Sequence, residues 1–78
     1  IAPPAPNPTN GQVTLGPGLL PDASAMVQDA VGRIAVVPVQ YADGSILADL
    51  SGLSEGMYSI TITSRGTRQT FRIIKQDL

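Results

Sequence analysis

The sequence predicts an all-β fold, a compact sandwich of six to seven short antiparallel strands. Three observations carry this. Apolar and polar residues alternate at period two, most clearly in Tyr58, Ile60 and Ile62 against Ser59, Thr61 and Thr63. Glycine, proline, asparagine and aspartate punctuate the chain every several residues. At 78 residues the chain is one domain, and its 42% apolar content suffices for a modest core.

Ile1–Asn10 holds four of the seven prolines, Pro3, Pro4, Pro6 and Pro8. Proline fixes φ and lacks an amide donor, so residues 1–8 read as an extended linker, with the sandwich at 9–78. A turn at Thr9-Asn10-Gly11 leads into a β-prone stretch, Gln12–Leu15. Gly16-Pro17-Gly18 and Pro21-Asp22 break it. Ala25–Gln28 reads as the next strand and Asp29–Arg33 as its turn. A helix over Asp22–Arg33 is favoured by Ala23, Ala25, Met26 and Ala30 but opposed by Val27, Val31 and Gly32. Strand fits better, because the neighbouring segments alternate and the turns are closely spaced.

Ile34–Val39 is a β-branched run in which Pro38 points to an edge or an end. Asp43-Gly44, within Tyr41–Ser45, is a hairpin turn signal. Ile46–Leu50 follows, then a loop over Gly52–Gly56. The final hairpin pairs the Tyr58–Thr63 stretch with a strand ending in Phe71-Arg72-Ile73-Ile74-Lys75 across a turn at Ser64–Thr67. Tyr58 reads as a core tyrosine whose hydroxyl reaches a backbone carbonyl near its strand's start. A terminal strand at a sheet edge offers backbone groups to a partner.

Charge is uneven although the net is only −1. Before Ser64 one basic residue, Arg33, faces Asp22, Asp29, Asp43, Asp49 and Glu55. From Ser64 onward Arg65, Arg68, Arg72 and Lys75 face only Asp77. This basic end reads either as a recognition strand or as solubilising charge on an exposed edge.

The inventory offers little chemistry. There is no cysteine and no histidine, so no disulfide, no thiolate or imidazole metal site and no Ser-His-Asp arrangement. Asp43 and Asp49 are more simply turn and strand-end residues than a catalytic pair. The spacing of Asp22, Asp29, Asp43 and Asp49 matches no calcium loop. Pro17 removes a donor that a phosphate cradle would need. Three aromatics, Tyr41, Tyr58 and Phe71, are too few for a nucleic-acid platform. The expectation is a non-enzyme with no metal and no cofactor, binding no nucleic acid. No apolar run approaches the ~20 residues of a membrane span. The start is neither Met nor a signal peptide, so the chain reads as a module of a longer protein.

Four segments in order resemble a known family. They are Pro6-Asn7-Pro8-Thr9-Asn10-Gly11-Gln12-Val13; Val27–Arg33; Asp49-Leu50-Ser51-Gly52-Leu53 leading into Gly56-Met57-Tyr58; and Thr70–Lys75. Together they resemble the C-terminal sorting domain of the type IX (Por) secretion system, the Bacteroidetes outer-membrane export route. Arg72 stands where that family often has lysine, and Gln76-Asp77-Leu78 extends past its usual final lysine.

The resemblance implies an immunoglobulin-like sandwich that acts as an export signal. Its partners would be a shuttle or translocon component of the secretion machinery and a sortase-like protease. It would pass through the periplasm to the outer-membrane surface or the extracellular space. The recognition residues it implies are Gly56, Met57, Tyr58, Arg68, Arg72, Ile73, Ile74 and Lys75, with Ile1, Ala2, Pro3 and Pro4 as the processing region. The alternative is an immunoglobulin- or fibronectin-like spacer or adhesion module of a surface protein. An open edge also suggests an edge-paired or strand-exchanged dimer in isolation.

Overall fold

Turn residues divide the chain into seven strands among the residues that the structure, a computed structural model, describes: 3–77. They are β1 (Gln12–Leu15), β2 (Ser24–Asp29), β3 (Ile34–Ala35), β4 (Val39–Ala42), β5 (Ser45–Asp49), β6 (Gly56–Ser64) and β7 (Thr67–Lys75). One sheet has the order β1-β5-β4 and the other β3-β2-β6-β7, with every neighbouring pair antiparallel. This is the small β-sandwich that the alternation and turn spacing predict, and no described residue is helical.

The inward positions of the strands build the core at period two. Val13 and Leu15 come from β1, Ile46 and Ala48 from β5, Val27 from β2, Tyr58, Ile60 and Ile62 from β6, and Ile73 from β7; all are buried. Leu19 and Leu50 close the ends from adjoining loops. Area removed from water at this layer is the main favourable contribution to the fold.

Two tight turns set the register of the hairpins. Asp43 (φ 53°) and Gly44 (φ 79°) join β4 to β5, and Arg65 (φ 50°) and Gly66 (φ 77°) join β6 to β7. Positive φ at both central residues gives the backbone twist that two paired strands need. Gly16 is fixed for a different reason. Its φ is 116°, and a Cβ there would lie 2.8 Å from the carbonyl oxygen of Gly44.

The run Ile34–Val39 does not form one strand. Ile34–Ala35 pair with β2 in the four-stranded sheet, and Val39–Ala42 pair with β5 in the three-stranded one. Between them the chain crosses from sheet to sheet at Pro38, which cannot donate to a ladder; its carbonyl instead accepts the N–H of Asp49 at 3.0 Å. Tyr41 and Ala42, expected in the turn, belong to β4.

The proline-rich start lies along the sandwich. Ala5 exchanges two hydrogen bonds with Thr14 on the outer edge of β1, at 3.1 and 2.9 Å. Thr9 is 2% exposed and bridges to β7 in parallel. Pro4 is buried and Pro3 exposed; Ile1 and Ala2 lie outside the described residues.

Candidate functional site

The terminal hairpin is the longest element pair, nine residues in each strand. β7 is the edge of its sheet, as expected of the last strand. Alternation sorts its residues. Phe71, Ile73 and Lys75 turn inward, while Arg68, Thr70, Arg72 and Ile74 form the outer face. Across the sheet, Thr70 shares a hydroxyl hydrogen bond with Thr61 at 3.0 Å, and Ile74 lies opposite Met57.

The expected recognition residues therefore split into two groups. Met57, Arg68, Arg72 and Ile74 reach the surface, and Gly56 opens β6 at φ 154°. Tyr58, Ile73 and Lys75 do not. Ile73 is fully buried in the core. Tyr58 is buried with its hydroxyl donating to the Ser54 carbonyl at 2.7 Å, so the tyrosine at the start of β6 ties its strand to the preceding loop. Lys75 is 3% exposed, and its ammonium pairs with the Asp77 carboxylate. A buried ammonium needs such a partner, because desolvation without one is costly. Asp77 is held in turn by its N–H, which donates to Glu55 Oε1 at 2.8 Å. The cations that the hairpin shows to solvent are thus Arg65, Arg68 and Arg72.

The terminal strand is only half open. The side-chain amide of Asn7 mimics a peptide group: Nδ2 donates to the Arg72 carbonyl at 2.9 Å, and Oδ1 accepts the Ile74 N–H at 3.0 Å. Next to it, the Thr9 N–H donates to the Ile74 carbonyl and the Gln76 N–H to the Thr9 carbonyl, both at 2.8 Å. Asn7 and Thr9 belong to the family-like opening segment but were not among the expected recognition residues. The available signal was the short Asn between two prolines, a side chain able to satisfy backbone groups where proline cannot.

Asp22, read as a loop residue, fixes the hairpin's turn. Its carboxylate accepts from Ser64 Oγ at 2.9 Å and from the Arg65 N–H at 3.2 Å. Asp29 organises the 29–33 loop in the same way. Its carboxyl is held below the usual aspartate value by the Arg33 N–H first; loss of solvent is the next effect and opposes this, and the Val31 N–H and the Arg33 guanidinium add to the lowering. A surface depression between this loop and residues 52–58 contains Asp29, Arg33 and Glu55 as its charged groups. Two of these neutralise each other and the third holds Asp77, so they are already committed to structure.

Residues 5–76 match the family model for the secretion system C-terminal sorting domain. The chain belongs to that family. The match spans both Asn7–Thr9 and the strand that they bond. No curated protein and no solved structure gives a match to the chain. As a type IX sorting domain it acts with the secretion machinery and directs export to the cell surface or the extracellular space. No helix among the described residues is long and apolar enough to cross a membrane.

Proposed function

We propose that this sorting domain is a non-catalytic export signal read through its terminal hairpin. A shuttle or translocon component engages it in the periplasm, and cargo and signal cross the outer membrane together. A sortase-like protease then removes it at the surface, cutting in or before the Ile1–Pro4 stretch. The observation that carries the reading is the family match over residues 5–76. Two features of the structure support it. The hairpin is the part of the sheet with three exposed cations, and among the described residues Pro3 is exposed while Pro4 and Ala5 are tied into the fold. Charge on such a surface favours encounter rate and partner choice more than raw affinity.

The test is an export assay in a Bacteroidetes host, with a periplasmic reporter carrying this chain at its C-terminus. Deleting Phe71–Leu78 is a poor variant, because it removes the fully buried Ile73 and unfolds the domain. Arg68→Ala with Arg72→Ala is better, since exposed substitutions usually change stability by no more than about 0.5 kcal/mol each. Export of the intact fusion, with the stable arginine variant retained in the periplasm, is the expected result. Equal export of both would remove the arginines from the signal. If the intact fusion stays in the periplasm while another sorting domain is exported, the reading fails and the spacer or adhesion module replaces it.

A further inference from the structure

The outer edge of β7 is divided in two. The two-residue turn makes Ser64 and Thr67 a hydrogen-bonded pair, and pairing alternates from there along the register. Thr67, Gln69, Phe71, Ile73 and Lys75 therefore bond β6, while Arg68, Thr70, Arg72 and Ile74 aim their N–H and C=O groups outward. Asn7 and Thr9 take both groups of Ile74 and the carbonyl of Arg72. Both groups of Arg68 and Thr70, and the N–H of Arg72, have no partner among the described residues. Among the described residues, one half of the terminal edge is sealed and the other half is bare.

We propose that an extended acidic segment of a partner protein adds as a strand along Arg68–Arg72. The reading of the chain as a sorting signal supplies the biological setting for this, and the geometry supplies the site. Main-chain hydrogen bonds to the free groups would give affinity, and side chains on the outer face would give selectivity. Arg68 and Arg72 are exposed and neither has a carboxylate partner among the described residues. They share a face four residues apart, about 13 Å at ~3.3 Å per residue. Carboxylates four residues apart on an added strand would meet both.

Other occupants fit worse. A second copy of β7 would set arginine near arginine, which is unfavourable across a strand pair. The outer edge of β4 offers no charged residue, β3 has only two residues, and β1 is already bonded to Ala5. Asp22 holds the turn through Ser64 and Arg65, so the edge is ordered before binding and the cost of ordering is reduced.

The experiment is an NMR titration of the isotope-labelled 78-residue chain. The probe is a blocked octapeptide, Thr-Val-Glu-Val-Thr-Val-Glu-Val, and the control has lysine in place of both glutamates. The expected result is saturable shifts and slowed exchange at the Arg68, Thr70 and Arg72 amides, with none at Val39 or Tyr41. Binding should weaken on the order of tenfold with the lysine peptide, or with Arg68→Glu plus Arg72→Glu, since two exposed ion pairs are at stake. Equal binding of the two peptides, perturbation centred on β4, or no shift at millimolar peptide would each overturn the proposal. The export assay reads independently. Export lost with the arginine variant but no peptide response would keep the sorting signal and remove strand addition as its mechanism. Peptide binding with export unchanged would keep the docking edge and place the export determinant elsewhere.

Discussion

Tyr58 does two jobs with one side chain. Its ring fills the core beneath β6, and its hydroxyl reaches back four residues to the Ser54 carbonyl. Replacing it by phenylalanine keeps the ring and leaves that carbonyl without its donor. Tyr58→Phe should therefore lower stability by about 1 kcal/mol, the usual net value of one such bond. Urea unfolding monitored by circular dichroism checks this, and an unchanged midpoint would make the hydroxyl incidental. The role of Tyr58 was legible because alternation fixes its direction and position fixes its reach. Lys75 was not legible in the same way. A lysine near a chain end reads as surface charge, since lysine is almost never fully buried unless paired. Its burial depends on Asp77 folding back under the hold of Glu55, a contact across 22 positions that no local pattern encodes.

Among the elements, β1, β5, β6 and β7 were readable because alternation and turn chemistry agree there. β3 and β4 were not. Ile34–Val39 has a continuous β-branched character, and the change of sheet at Val36–Pro38 follows from what lies on either side in space. Composition says less about the start of the chain for a related reason. Proline-rich sequence predicts extended backbone correctly, but not whether something will hydrogen-bond to it. Asn7 supplies that bond. Asn7→Ala should expose the Ile74 N–H, and loss of about 1 kcal/mol of local protection corresponds to roughly fivefold faster exchange there. The same treatment should leave the β2–β6 amides unchanged. Hydrogen exchange followed by NMR reads both, and uniform acceleration across the sheets would show that Asn7 supports the whole fold rather than one edge.

At the scale of the molecule, charge is segregated: acidic residues hold loops while basic ones decorate the last hairpin. Asp29 is held low chiefly by the Arg33 N–H, and Asp49 chiefly by its hydrogen bond with the Ser51 side chain. Both carboxyls have a lower folded than unfolded value. Their contribution is present above the unfolded aspartate value of about 3.9 and fades as pH falls through the lower folded one. Thermal midpoints measured from neutral to strongly acidic pH should fall at the acid end, and Asp29→Asn should flatten that fall while lowering the neutral plateau. A parallel displacement of the whole curve would mean that Asp29 acts without its charge.

The pairing of Asn7–Thr9 with Arg72–Gln76 is parallel, so the two segments enter and leave at opposite poles of the sandwich. A hairpin tugged at its open ends parts one bond at a time, like a zip. These segments are arranged otherwise. Tension between a load upstream of Ala5 and a grip at Gln76 runs along the strand axes and draws the two past one another in shear. The four hydrogen bonds between them then share the force and must yield together. The two segments overlap as a lap joint, which any pull between Ala5 and Gln76 loads in shear rather than in peel.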